Sequence, residues 1–190
     1  MYRLRGEPLD DAELIGRARS RDTEAYGQLV RRHQRVALRV AYLITRDAME
    51  AQDIAQDAFV KAYRSLDQFR DGSPFRPWLL RIVHNEAVNR IRRRDRQARL
   101  AVRSYEPSIE LDPADVASIS AERAELLDAL GRLPARFREV VALRFLLELS
   151  EEETAQTLGL ARGTVKSRTA RGLDRLRSLL VTHAGEAPDV

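Results

Sequence analysis

Residues 150–180 read SEEETAQTLGLARGTVKSRTARGLDRLRSLL, the most informative run in the chain. Ser150 followed three residues later by Glu153 is a capping box, in which each residue satisfies the other's free backbone N–H at a helix start. Ala155 is small enough for a close helix crossing. Gly159 permits the left-handed backbone of a tight turn. Leu160 and Val165 stand where aliphatic side chains plug the angle between two helices. The pattern predicts a helix-turn-helix. On its second helix Val165, Thr169, Gly172 and Leu176 share an inward face, while Thr164, Ser167 and Arg171 lie opposite, with Lys166 and Arg168 beside them. Ala161, where Ser, Thr or Asp is the usual cap, gives that helix a weaker start. The plainer reading is a helical hairpin with a solvated basic face, but capping, turn and charge all point the other way.

Working outward, every segment with a clear period is helical. Asp10 with Glu13 opens a helix to Arg19. A second runs from Thr23 to Ile44, with Leu29, Val30, His33, Val36, Ala37, Val40, Ala41 and Ile44 on one face. A third runs from Asp47 to about Phe69. The stretch 70–77, with Gly72, Pro74 and Pro77, punctuates the chain, and a fourth helix follows from about Pro77 to Arg96. Helices at Ala121–Leu130 and Arg136–Leu147 precede the helix-turn-helix. The expected fold is all-α: an N-terminal helical domain over 1–96, a flexible acidic linker over 97–118 containing Pro107 and Pro113, a C-terminal helix-turn-helix domain over 119–181, and a disordered tail over 182–190.

Composition narrows the functions available. A 190-residue chain with 44% hydrophobic residues can build packed cores. With no cysteine, disulfides, thiolate catalysis and cysteine-based zinc sites are excluded. No segment approaches the length of a membrane span and Met1–Asp10 lacks a signal-peptide core, so no membrane insertion and a cytoplasmic location are expected. The net charge of +4 is unevenly spread. Residues 81–103 hold eight Arg against two acids, 104–130 hold one Arg against seven acids, and 162–177 hold six basic residues against one acid. Two basic blocks around an acidic one suggest two polyanion-binding surfaces and a segment kept off them. All basic residues but Lys61 and Lys166 are Arg, which suits phosphate and guanine, although a GC-rich genome also favours Arg codons. His33, His84 and His183 are scattered without ligand spacing, and no Gly-rich phosphate loop is present, so neither an enzyme nor a cofactor is expected.

The fourth helix is the second constellation. Asn85 and Asn89 are four apart and share a face. Amides suit base edges, and Arg92, Arg93 and Arg94 follow, where the helix dipole alone would also favour cations. Trp78 reads as core rather than as a base-stacking platform.

Four motifs in order then carry a resemblance: residues 53–63 (DIAQDAFVKAY), residues 75–89 (FRPWLLRIVHNEAVN), Leu133-Pro134 with Arg136 to Phe145, and Gly163 to Arg168 (GTVKSR). Over residues 10–96 and 119–181 the chain resembles the extracytoplasmic-function (ECF) sigma factors, a two-domain group within the sigma-70 family of bacterial RNA polymerase specificity subunits. The resemblance implies an initiation factor that binds core RNA polymerase, reads the −35 promoter element as duplex and melts the −10 element. It implies polymerase contacts by Asp53, Gln56, Asp57 and Phe59. The loop from Asp71 to Arg76, with Ser73 and Phe75, would take a flipped −10 base. Asn85 and Asn89 would hold the melted strand, and Arg92 and Arg93 its phosphates. Arg162, Thr164, Lys166, Ser167, Arg168 and Arg171 would meet the −35 element. The acidic linker would thread toward the polymerase active centre. An inhibitory anti-sigma factor is a common partner in this group, though no residue here identifies one. The alternative is a stand-alone helix-turn-helix regulator, which would need a dimer interface and a palindromic operator.

Overall fold

The structure, a computed structural model, describes residues 9–101 and 121–184. Among them every regular element is helical, as the periodicity predicts. The N-terminal part holds α1 (Asp11–Arg19), α2 (Thr23–Thr45), α3 (Ala48–Arg64), a 3-10 turn (Leu66–Gln68) and α4 (Phe75–Ala101). The C-terminal part holds α5 (Ala121–Arg132), α6 (Ala135–Val141) continued by a π turn (Ala142–Leu146), α7 (Glu151–Leu158) and α8 (Arg162–Ala184).

Local chemistry sets the starts. The Asp10 carboxylate accepts from Glu13 N at 2.8 Å, while Glu13 Oε2 accepts from Asp10 N at 3.1 Å. Asp47 caps α3 through Glu50 N at 2.9 Å, but the Glu50 carboxylate turns to Arg94 on α4 at 3.4 Å instead of closing a box. Helix α3 stops at Arg64, and Leu66 then drops into the core from the 3-10 turn. The fourth helix is longer than its sequence pattern suggests. It begins at Phe75 because Pro77 falls in its first turn, where a missing N–H costs nothing. It runs five residues into the expected linker, through Gln97 to Ala101, because the Arg-rich end contains no breaker. Residues 102–118 of that linker and 185–190 of the expected tail lie outside the described residues; 182–184 of the tail are helical.

Leu14, Leu29, Val40, Ile54, Leu79, Leu80 and Val83 fill the N-terminal core. Phe75 closes it from the first turn of α4, with ring centroids of His33, Trp78 and Phe69 at 5.3, 5.6 and 5.9 Å. The Tyr26 hydroxyl donates to Phe59 O at 2.5 Å and ties α2 to α3. Arg19 reaches across to the carbonyls of Leu66 and Phe69 and to Asp71, so one side chain carries the backbone of the loop that leads into α4.

The two parts pack against each other. Leu143, Leu147 and Leu149, C-terminal by sequence, are buried with the N-terminal core, and Leu43 of α2 packs against the C-terminal cluster. Polar bridges flank the seam. Arg76 donates to Leu147 O at 2.9 Å, Arg46 donates to Gly131 O at 2.5 Å, and His84 Nε2 lies 3.4 Å from Glu139 Oε2. Helix α4 also packs along α7. Periodicity alone leaves this arrangement open, because the leucines of residues 143–149 look equally at home in an isolated helical hairpin.

His33 is buried on α2, and its Nε2 donates to Asp11 Oδ2 at 2.8 Å. Burial, only partly opposed by Asp11, pushes its pKa below the ordinary value near 6.5. The fold therefore favours neutral His33, and the unfolded chain binds the extra proton first as pH falls. Stability should be full above pH ~6.5 and decline as pH drops through that value toward the lowered one. In urea melts between pH 7.5 and 5.5, His33→Gln should flatten this slope; an unchanged slope would remove His33 as its source.

Candidate nucleic-acid interface

The helix-turn-helix is assembled as its spacing predicts. Ser150 and Glu153 exchange both capping bonds at 3.1 and 2.8 Å. Gly159 ends α7 with φ 64°, the left-handed region, and Leu160 N returns to Ala155 O at 2.9 Å. Val165 is buried with Ala155 and Val140, and Leu160 packs against them. Gly172 meets α6 at close range. A Cβ placed on it would lie 2.7 Å from Val141 Cγ2 and 3.4 Å from Phe137 Cβ. Phe137 is itself held between guanidiniums, with Arg136 and Arg175 each 4.8 Å from its ring centroid. These contacts set the rotation of α8 about its own axis, and so decide which side chains face solvent.

That outward side carries the expected residues. Arg162, Lys166, Ser167 and Arg171 are exposed; Thr164 and Arg168 are half-buried. The Ser167 hydroxyl donates to Thr164 O at 3.1 Å, which leaves its lone pairs free to accept from an external donor. Arg162 lies 3.4 Å from Glu152 at the surface, a pair worth little in water. Lys166 and Arg171 have no ion-pair partner among the described residues.

On the N-terminal part, Asn85, Asn89, Arg92 and Arg93 are exposed in one stripe along α4. Asn85 also lines a cleft of about 390 Å³ between α3 and α4, with Lys61, Arg64 and Ile82. Lys61 is paired there with Glu86 at 2.6 Å. Ser73 is exposed in the loop, where Gly72 adopts φ 76°. Phe75, by contrast, is 2% exposed. A ring so enclosed supports the loop from beneath and offers no face to a base. Ten residues of helix put Phe75 and Asn85 about 15 Å apart along the axis, so the loop and the Asn85 cleft are two places and not one pocket. Lys61 and Arg64 escaped the sequence reading because cations in a last helical turn look like ordinary dipole partners.

On α3, Asp53, Gln56 and Asp57 are exposed, whereas Phe59 faces the core at 7% exposure. Asp57 lies 3.5 Å from Arg90. Two apolar residues that the sequence reading passed over, Met49 and Val60, are exposed on the same side. Met49, Asp53, Gln56 and Val60 follow one another at steps of four, three and four, the spacing of a helix that docks along another helix or a coiled coil.

Residues 29–97 match the family model Sigma-70 region 2, and residues 123–176 match Sigma-70, region 4. The chain is 35% identical to the RNA polymerase sigma factor NccH of Alcaligenes xylosoxydans xylosoxydans, over 92% of this chain and 96% of that one. It is also 35% identical to the ECF RNA polymerase sigma factor SigE of Mycolicibacterium smegmatis over 85% of this chain, though it spans only 64% of that relative's length. Among solved structures, the sigma factor RpoE in complex with the anti-sigma factor NepR from Bartonella quintana superposes with a TM-score of 0.72, at 30% identity over 82% of this chain and 96% of that one. The chain belongs to the sigma-70 family, in its extracytoplasmic-function group.

Val141 is β-branched and buried, which restricts its room to give way to a methyl group at Gly172. Gly172→Ala should destabilise the C-terminal part by about 1–3 kcal/mol through overpacking, read as a lower thermal midpoint. Gly163→Ala, at a position with open space around it, should not.

Proposed function

We propose that the chain is a non-enzymatic transcription initiation factor, acting in the cytoplasm, that binds core RNA polymerase and directs it to promoters carrying matched −35 and −10 elements. The observation that carries this reading is the pairing, within one chain of this family, of a basic recognition helix α8 with an amide-and-arginine stripe on α4. In this reading Lys166, Ser167 and Arg171 meet base edges in the major groove, with Arg162, Thr164 and Arg168 beside them on the backbone and flanking bases. Asn85 and Asn89 hold the melted −10 strand, Arg92 and Arg93 its phosphates, and Ser73 in the loop over Phe75 a displaced base. Unpairing and flipping a base costs a few kcal/mol, which capture of the base offsets. Asp53, Gln56 and Asp57, with Met49 and Val60, form the edge that grips the polymerase, and Phe59 holds that edge from below. A stand-alone regulator is not favoured, since both family regions are present.

The packed arrangement bears on the mechanism. Elements centred at −35 and −10 lie about 25 base pairs apart, on the order of 85 Å of duplex. A compact body of this length has a radius of gyration of roughly 16 Å. The two parts must separate at the seam for both elements to be read at once. A partner that holds the seam closed would act as an inhibitor, and the anti-sigma complex of the structural relative makes that class of partner the one to seek.

Run-off transcription with core polymerase on genomic fragments tests the reading: start-site-specific transcripts should require this chain. Arg171→Ala should weaken −35 binding and relax its specificity by about 1–3 kcal/mol, scored over a panel of −35 variants. Asn85→Ala should impair strand opening, seen by permanganate footprinting, more than duplex binding. Equal loss of both would remove Asn85 from the melted strand.

A further inference from the structure

The packed arrangement creates a cleft that neither part has alone. One wall is the outer side of α2, with Arg35, Val36 and Arg39; the other is the chain from Leu146 to Glu148, and Arg76 also lines it; its volume is about 460 Å³. Its charge is lopsided. Four guanidiniums line it, Arg32 being the fourth, against the single carboxylate of Glu148. Arg32 is committed to Asp11 and to Leu9 O, and Arg76 spends one nitrogen on Leu147 O. Arg35 and Arg39 are exposed and one helical turn apart, and they have no hydrogen-bond or ion-pair partner among the described residues. Like charges at that spacing repel, so the pair costs helix stability unless something anionic sits before it.

We propose that this cleft binds a small polyphosphate anion, of the class of a nucleoside polyphosphate, through Arg35, Arg39 and the unused part of the Arg76 fork. Guanidinium forks match phosphate oxygens in pairs. Val36 and Leu146 set an aliphatic surface beside the arginines, on which the flat face of a base can rest. The concave shape favours a compact anion over the backbone of a long strand. Since each part of the protein contributes one wall, the anion binds only the packed form and stabilises it. It thereby opposes the separation at the seam that promoter reading requires; that consequence, though not the site itself, rests on the proposed function.

Calorimetric titration of the full chain with sodium tripolyphosphate tests the site without polymerase or promoter. One saturable site is expected, weakened at least tenfold in the double variant Arg35→Gln/Arg39→Gln, whose thermal midpoint without ligand should be no lower than the parent's, because both side chains are exposed and their mutual repulsion is lost. The affinity for a single-stranded DNA oligonucleotide should not change with the variant. Absence of saturable binding, equal affinity in the variant, or a parallel loss of DNA binding would overturn the site, the last by making the pair a strand contact. The chain has no cysteine, so dyes on Gln68→Cys and Gln156→Cys can report the seam. In a chain loosened at the seam by Leu149→Ala, whose side chain is buried in the shared core, tripolyphosphate should raise energy transfer between them, and the double variant on the same background should show no rise. Binding to the loosened chain without a rise in transfer would overturn the closing effect.

Discussion

Three leucines hold the molecule in its packed form. Leu143, Leu147 and Leu149 arise in the turn between α6 and α7, yet they are buried with the core that α1 to α4 build. Fully burying a leucine contributes about 1.5–3 kcal/mol, so parting the domains exposes several kcal/mol of apolar surface, beyond the bonds from Arg76 and Arg46 to seam carbonyls. Anything that opens the seam must bind the open form better than the closed one by at least that margin. A large polymerase surface and a stretch of promoter together can supply it, whereas a short duplex alone is poorly placed to do so. The same margin makes the seam a natural point of control, since a modest ligand that prefers the closed form shifts the balance further.

Helix α4 is where the demands on the chain meet. Its Leu79, Leu80, Val83 and Ala87 are buried, its His84 and Arg76 face the C-terminal part across the seam, and its Asn85, Asn89, Arg92 and Arg93 are left to solvent. One rigid element thus ties the amide-and-arginine stripe to the closure of the molecule. The exposed amides border the covered portion: a Cβ placed on Gly159, in the turn of the helix-turn-helix, would lie 3.7 Å from Arg81 Nη2, one helical turn before Asn85.

Much of this was legible in the residues. The capping boxes at Asp10 and Ser150, the left-handed turn at Gly159 and the inward set Val165, Gly172 and Leu176 are local or periodic features, and physics at that range leaves few alternatives. Family membership was legible too, because the four motifs fall in order over most of the chain. Individual roles were less so. Phe59 and Phe75 lie in motifs that suggest contact with partners, but both side chains are buried; periodicity alone does not say which aromatic on a helix is turned inward. Met49 and Val60 show the converse, two apolar residues on the outer side of α3 that a core-seeking eye passes over.

The set of helices, the helix-turn-helix and the placement of charge follow from neighbouring residues alone, since hydrogen bonds over three or four residues and side-chain period act within a short window of chain. The tertiary structure alone decided that two domains share a core, that an arginine-lined cleft opens between them, and that Asn85 sits beside Lys61 and Arg64 rather than beside the loop at Ser73. Those outcomes depend on leucines and arginines meeting partners dozens of residues away. A leucine's preference for any apolar surface does not reveal which surface it will find.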